Sequence, residues 1–344
     1  MKEEKALIGV LNGERRNPPP VWMMRQAGRY LPEYRSLRAK AGAFWTMCND
    51  PEMAAEITLQ PIRRFGFDAA IIFSDILTVP YALGCEVKFT EGEGPSLPPI
   101  TSADGLDRDP AVWAEKLSPA YETLKRVRAS LDGKTTLLGF AGAPWTLATY
   151  MAAGRGGDEQ KAAKLWGYRE PESFARLLNV LSECVAQHLI KQIEAGADAV
   201  QIFDSWASGL PDAQFERWVI APTKKIVAKI RTVHPKAKIV GFPRACTVAQ
   251  YERYVNEIRT DAVSLDTAAP MSWAAKALGG KVALQGNLDP IALIAGGEAL
   301  REGVSRILEA TRDVPLIFNL GHGILPETPI PHVEELLKLV RGAA

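Results

Sequence analysis

Cysteine and histidine are scarce in this chain, with four of each in 344 residues. Cys48, Cys85, Cys184 and Cys246 are scattered and include no C-x-x-C pair. That excludes a disulfide framework and suits reduced thiols in a cytosolic protein. His188, His234, His322 and His332 show no H-E-x-x-H or other ligand spacing, so no dedicated metal site is expected. Net charge is scarce as well: 41 Lys plus Arg stand against 40 Asp plus Glu, leaving a formal +1. No global field therefore favours nucleic acid or an anionic membrane, and any anion recognition must be local. Long apolar runs are missing too, none reaching the roughly 18 residues a membrane helix needs. The opening "MKEEKALIGVLNGERRNPPP" has no apolar core of signal-peptide length followed by a small-residue cleavage site, so neither export nor membrane insertion is expected.

What is present is ordinary globular composition, 47% hydrophobic and 24% charged, in a chain long enough to bury a large core. Short runs rich in Val, Ile, Leu and Phe recur at Val21–Met24, Ala69–Phe73, Thr135–Phe140, Ala199–Phe203, Lys238–Phe242, Ala262–Leu265, Val282–Gly286 and Leu316–Leu320. Between them lie segments of helical periodicity, such as Glu172–Gly196, whose apolar residues recur three and four apart and which ends on glycine. Strand and helix alternate through residues 1–344 with no composition break, linker or low-complexity tract. The pattern predicts a single-domain α/β fold, a (β/α)8 TIM barrel. A barrel needs roughly 250 residues, so the surplus goes into loop insertions at the strand C-terminal face. The clearest are "EVKFTEGEGPSLPPITSADGLDRDP" after the second strand and "TYMAAGRGGDEQ" after the third.

In such barrels the strand C-termini build the active site, so the residues just past each run are read together. They are Arg25 and Arg29; Ser74 and Asp75; Tyr150; Asp204 and Ser205; Arg244; Asp266; Asn287 and Asp289; Asn319 and His322. Asp75, Ser205 and Asp289 could equally cap the helices that follow. Tyr150 could be a core aromatic, and His322, between Gly321 and Gly323, a turn residue that also invites close approach by a ligand. The two arginines fit a bland reading less well. In "VWMMRQAGRYLPEYR" Arg25 and Arg29 are each other's neighbours at i,i+4, where like charges repel, and an external anion would relieve that repulsion. Guanidinium forks bind carboxylate or phosphate, and Gly28 lets the backbone approach. These residues point to a pocket for a multiply charged anion, with Asp75 reserved for something that donates hydrogen bonds or carries positive charge.

Across essentially the whole chain, "MRQAGRYLPEYR", "FSDILTVPYALG", "GAPWTLATYM", "FDSWAS", "GNLDP" and "NLGHGILPETP" resemble the uroporphyrinogen decarboxylase family. The resemblance implies an enzyme of haem biosynthesis that converts the four acetate arms of uroporphyrinogen III to methyls, giving coproporphyrinogen III, with no metal or organic cofactor. It further implies a homodimer. By the same resemblance Arg25, Gln26, Ala27, Gly28 and Arg29 line the substrate pocket and Asp75 accepts the pyrrole N–H groups. Tyr150, Ser205 and His322 contact further arms, Arg38 stands where the family keeps another arginine, and Asp75 and Arg25 carry the chemistry. One departure is "MAAGRGG" after Tyr150, where relatives often carry Glu-Gly. Three rival readings make different demands. A corrinoid-linked methyltransferase of this fold would need a His-x-Cys pair with a distant Cys, yet His234 is followed by Pro235 and Lys236. A phosphosugar barrel could use the same arginine forks, but "GNLDP" is acidic. A tetrapyrrole carrier would keep the arginines and have no need of Asp75.

Overall fold

In the computed structural model the described residues are 5–90, 94–156 and 159–342. Nine strands form: β1 (Ala69–Ile71), β2 (Lys88–Thr90), β3 (Gly94–Ser96), β4 (Thr136–Gly142), β5 (Ala199–Asp204), β6 (Lys238–Pro243), β7 (Ala262–Ser264), β8 (Ala283–Leu288) and β9 (Leu316–Leu320). Seven of them make one curled parallel sheet in the order β1-β4-β5-β6-β7-β8-β9, with helices between consecutive strands. This is a single α/β domain. Near-continuous Val, Ile, Leu and Ala in these strands reflects burial on both faces, one against the helices and one inside the curl.

The first expected strand, Val21–Met24, is a single bridge, Val21 to Phe318 of β9, and not a strand. Pro18, Pro19 and Pro20 carry no N–H to extend a ladder, and Arg25 at φ 62° turns the chain away. The short segment nevertheless bonds to both edges of the sheet. Phe318 N–H donates to Pro20 O at 2.8 Å and Trp22 N–H to Phe318 O at 3.3 Å, while Asp68 N–H donates to Val21 O at 3.0 Å.

A repeated device organises the strand N-termini. Asp68, Asp198 and Asp261 each precede an alanine that opens a strand, and each carboxylate accepts a neighbouring N–H: Val21 at 2.8 Å, Leu137 at 2.7 Å and Ile239 at 2.9 Å. Cations neutralise all three, Arg341 at Asp68, Lys5 and Arg128 at Asp198, and Arg231 and Lys238 at Asp261. The helix Ala6–Leu11 packs Leu7, Val10 and Leu11 into the same end of the curl, against Leu138, Ala199, Val240 and Ile317. Above that layer the interior is polar and mostly paired, Gln201 Nε2 being left without a partner among the described residues. Gln285 accepts from Trp22 Nε1 and donates to Gln201 and Ser264, each at 3.1 Å.

Both expected insertions stand on the opposite face. The first contains the antiparallel pair β2 and β3, with its residues 91–93 outside the described ones. The second is less of a loop than its glycines suggest, because the helix Pro144–Ala153 runs through Tyr150 and only Gly154 ends it, at φ 78°. Leu97 N–H to Gly154 O at 2.8 Å and Ile100 N–H to Met151 O at 2.9 Å tie the two insertions together. The "MAAGRGG" departure lies here, Gly157 being outside the described residues.

Candidate active site

Three phenylalanines form the floor of the mouth. Phe140, Phe203 and Phe242 carry the last inward-facing side chains of β4, β5 and β6, Gly142 having none, and they pack edge to face with ring centroids 5.6 and 5.9 Å apart. Phe140 and Phe203 stay half-buried, so part of each ring is open to whatever occupies the mouth. Strand alternation was the signal for them, since the end of each inward row must cap the filled interior.

Arg25 follows the Val21–Met24 segment in a left-handed turn, φ 62°, a conformation that costs a residue with a Cβ of order 1–3 kcal/mol. Its surroundings fix the turn. Met24 N–H donates to Asn319 Oδ1 at 3.0 Å, and Ile324 N–H to Met24 O at 2.8 Å, so the Gly321–Gly323 loop is tied to the arginine turn. A Cβ on Gly323 would collide with the Arg25 side chain, which explains the glycine. The Arg25 side chain keeps contact with solvent while protein atoms crowd it from most directions, as in a cleft. Desolvation lowers its pKa, Tyr150 and Asp75 oppose that, and Arg244 and Arg29 reinforce it.

Asp75 is half-buried just past β1 and accepts Leu77 N–H at 2.8 Å. Burial raises its pKa, against the Leu77 hydrogen bond and the Arg25 charge. Tyr150 is half-buried with its pKa raised by desolvation, which its hydrogen bond to the Trp206 side chain opposes; Asp75 and Arg25 also act on it. His322 is held at about 3 by desolvation and by the charges of Arg25 and Arg244, so the imidazole is neutral at physiological pH. Arg25, Asp75, Tyr150, Arg244 and His322 thus form one electrostatically coupled group. Arg29 is exposed one turn further on, and Arg38 lies half-buried over the Phe44 ring, 5.8 Å from its centroid, with Nη1 buried and unpartnered. Ser205 is half-buried in the turn after β5. Among the described residues Arg25, Arg29, Arg38 and Arg244 have no carboxylate within ion-pair distance.

The alternative readings separate residue by residue. Asp289 is a helix cap, accepting Ile291 N–H at 2.9 Å. Ser205 caps nothing, since the next helix starts at Asp212 behind Pro211. Asp75 bonds a backbone N–H yet also interacts with the Arg25 charge. Gln26 is buried, donating to Ala69 O and accepting Met23 N–H, so its side chain braces the turn; Ala27 and Gly28 remain half-buried beside it. Asp266 and Asn287 are occupied by Ala245, Ala268, Tyr251 and the Asp266 and Ala269 carbonyls. Arg244, which sequence reading placed at a strand end without a role, belongs to the coupled group.

Arginines without an ion-pair partner among the described residues, beside the Asp75 carboxylate at the carboxyl ends of parallel strands, mark the chain as an α/β enzyme with its site at that face. Residues 2–343 match the family model described as uroporphyrinogen decarboxylase. Curated relatives carrying that description include those of Mesorhizobium japonicum, 54% identical over the full length of both chains, and of Chelativorans sp., 52% identical over 98% of both. The chain belongs to the uroporphyrinogen decarboxylase family. Among solved structures, a methyltransferase from Methanosarcina mazei covers 98% of both chains at a TM-score of 0.81 and 20% identity. A B12-independent methionine synthase from Shewanella sp. covers 84% of this chain and 85% of its own at 0.54 and 14%. At those identities the likeness is one of fold alone. Among the described residues no three His, Cys, Asp or Glu side chains come together as a metal-binding group.

Proposed function

We propose that this chain removes carbon dioxide from the four acetate arms of uroporphyrinogen, leaving methyl groups and yielding coproporphyrinogen. The observation that carries the reading is the juxtaposition of unpaired arginines with Asp75 over the Phe140, Phe203 and Phe242 floor. A cyclic tetrapyrrole presents carboxylates at its rim, N–H donors at its centre and apolar faces, and each feature has a counterpart there.

Loss of carbon dioxide requires somewhere for the electron pair of the breaking bond to go. Protonation of the pyrrole carbon next to the acetate arm makes the ring a cation; the C–CO2 pair moves into it, and the resulting methylene takes up a second proton to become methyl. In this reading the Asp75 carboxylate accepts the pyrrole N–H groups and stabilises the cationic ring as it forms. Arg25, whose pKa is lowered by desolvation, is the candidate proton source, directly or through water, and Arg29 and Arg38 hold carboxylates. Tyr150, Ser205 and neutral His322 supply hydrogen bonds to further arms, and Ala27 and Gly28 backbone contacts. We take Pro20–Met24 as the eighth stave, closing a (β/α)8 barrel over residues 1–344, and the working form as a cytosolic homodimer.

The test is to incubate purified protein with anaerobically prepared uroporphyrinogen and to separate the oxidised products by carboxyl number. Stepwise hepta- to tetracarboxylate porphyrins are expected. Asp75→Asn should lower kcat by about 10²-fold or more, the scale of losing one preorganised electrostatic group. Unchanged octacarboxylate with the folded parent protein, or near-parental kcat in the Asn variant, would defeat the reading.

A further inference from the structure

Arg244 follows β6, the middle strand of the seven, whereas Arg25 follows the segment bonded to the sheet's two edges. The two arginines are therefore rooted on opposite sides of the strand order, and Arg244 lies near enough for its charge to act on both Arg25 and His322. The chain around Arg244 is tied on both flanks. Its own N–H donates to Asp204 O of β5 at 3.1 Å. The next residue, Ala245, sits at φ 58°, a region that residues with a Cβ rarely adopt, and its N–H donates to the Asp266 carboxylate at 2.9 Å. That carboxylate is buried and takes the Tyr251 hydroxyl at 2.8 Å and Ala268 N–H at 2.8 Å, so it cannot swing away. A strained turn, anchored by a buried carboxylate, fixes where Arg244 leaves the backbone. Asp266 makes no ion pair with it, and no other carboxylate among the described residues does.

We propose that Arg244 is a further substrate-binding residue, its guanidinium taking a carboxylate arm of the macrocycle on the side of the mouth opposite Arg25, with Asp266 and left-handed Ala245 positioning it. The inference rests on the decarboxylase reading of the site. A planar fork with no carboxylate partner among the described residues, beside Arg25 and His322, matches a carboxylate in two parallel N–H to O bonds. Placing one arginine on each side of the mouth also fixes the rotation of the macrocycle, which a cluster on one side alone would leave free.

The experiment compares the parent with Arg244→Gln, Arg244→Lys, Asp75→Asn and, as a charge control, Arg217→Gln, a residue of a surface groove near Trp218. Steady-state turnover of uroporphyrinogen is measured alongside titration with uroporphyrin as a non-reacting polycarboxylate. Arg244→Gln should raise KM and the titration constant about tenfold or more, with a smaller change in kcat, as expected for losing a charge-assisted bond made in ground and transition states alike. Arg244→Lys should recover part of the binding but not all, because the point charge remains and the fork does not. KM and titration constant within twofold of parental in Arg244→Gln, while Asp75→Asn loses turnover, would overturn the inference and leave the decarboxylase reading standing. An equal weakening in Arg217→Gln would overturn it as well, by reducing the effect to net charge. A parent without turnover would remove the reading itself. If Arg244→Gln does not fold, parental binding in Arg244→Lys overturns the proposal, and an intermediate loss supports it.

Discussion

Gly323 shows how a single missing side chain sets the chemistry of another residue. The Arg25 side chain occupies the space a Cβ would take, so Gly323→Ala must push the guanidinium out of place. Gly323 needs no left-handed backbone, so the fold should survive. The expected result is an unchanged unfolding temperature with kcat/KM down by about 10–10²-fold, the scale of misplacing a group by an ångström. At the same site, His322 should give no imidazole titration by NMR between pH 5 and 8, because desolvation and two arginines hold it at about 3. Its folded pKa lies below the unfolded value near 6.5, so its contribution to stability is present above that pH and is lost as pH falls toward 3. A titration near 6.5 in the folded protein would contradict this. Individual polar residues were legible because they follow apolar runs, as Asp75, Ser205 and His322 do. What each one does was not, since Asp289 caps a helix from the same kind of position. The phenylalanine floor is signalled only by strand alternation, because Phe140 taken alone is simply another strand residue.

The eight apolar runs predicted strands, and seven form, since β-branched and aliphatic runs of this length have few other places to be buried. The exception traces to the backbone donors that three prolines remove from Pro18–Pro20. Asn319 of β9 carries the junction instead, accepting Met24 N–H at 3.0 Å and Leu320 N–H at 2.8 Å. Asn319→Ala leaves a buried donor without a partner, which should cost about 1–3 kcal/mol in denaturant unfolding and loosen the Arg25 turn. Unchanged stability together with unchanged KM would show the junction to be held elsewhere. The aspartate device at Asp68, Asp198 and Asp261 was visible as a recurring Asp-Ala, yet its meaning depends on which strand lies alongside, and no single-chain pattern specifies that.

Across the whole molecule, charge is sorted by face. Basic residues at the strand N-termini are paired with aspartates, whereas Arg25, Arg29, Arg38 and Arg244 have no carboxylate partner among the described residues, so a net charge of +1 conceals a strong local imbalance. Beneath that mouth Asp204 is buried, accepting the Thr146 hydroxyl at 2.6 Å with its second oxygen unpartnered, and burial raises its pKa to about 7. Its folded value exceeds the unfolded one near 3.9, so its contribution is full below that pH and is lost as pH rises through about 7. Asp204→Asn cannot ionise, so its melting temperature relative to the parent should climb between pH 5 and 8; a constant difference would place the titration elsewhere.

The unpartnered arginines have one more effect. Each turnover replaces a charged arm by a methyl group, so the ligand sheds electrostatic attraction for the mouth step by step. Grip by charge fades as the reaction advances, and the fully processed macrocycle is the species held least by the guanidinium groups, which makes departure a built-in result of the chemistry itself.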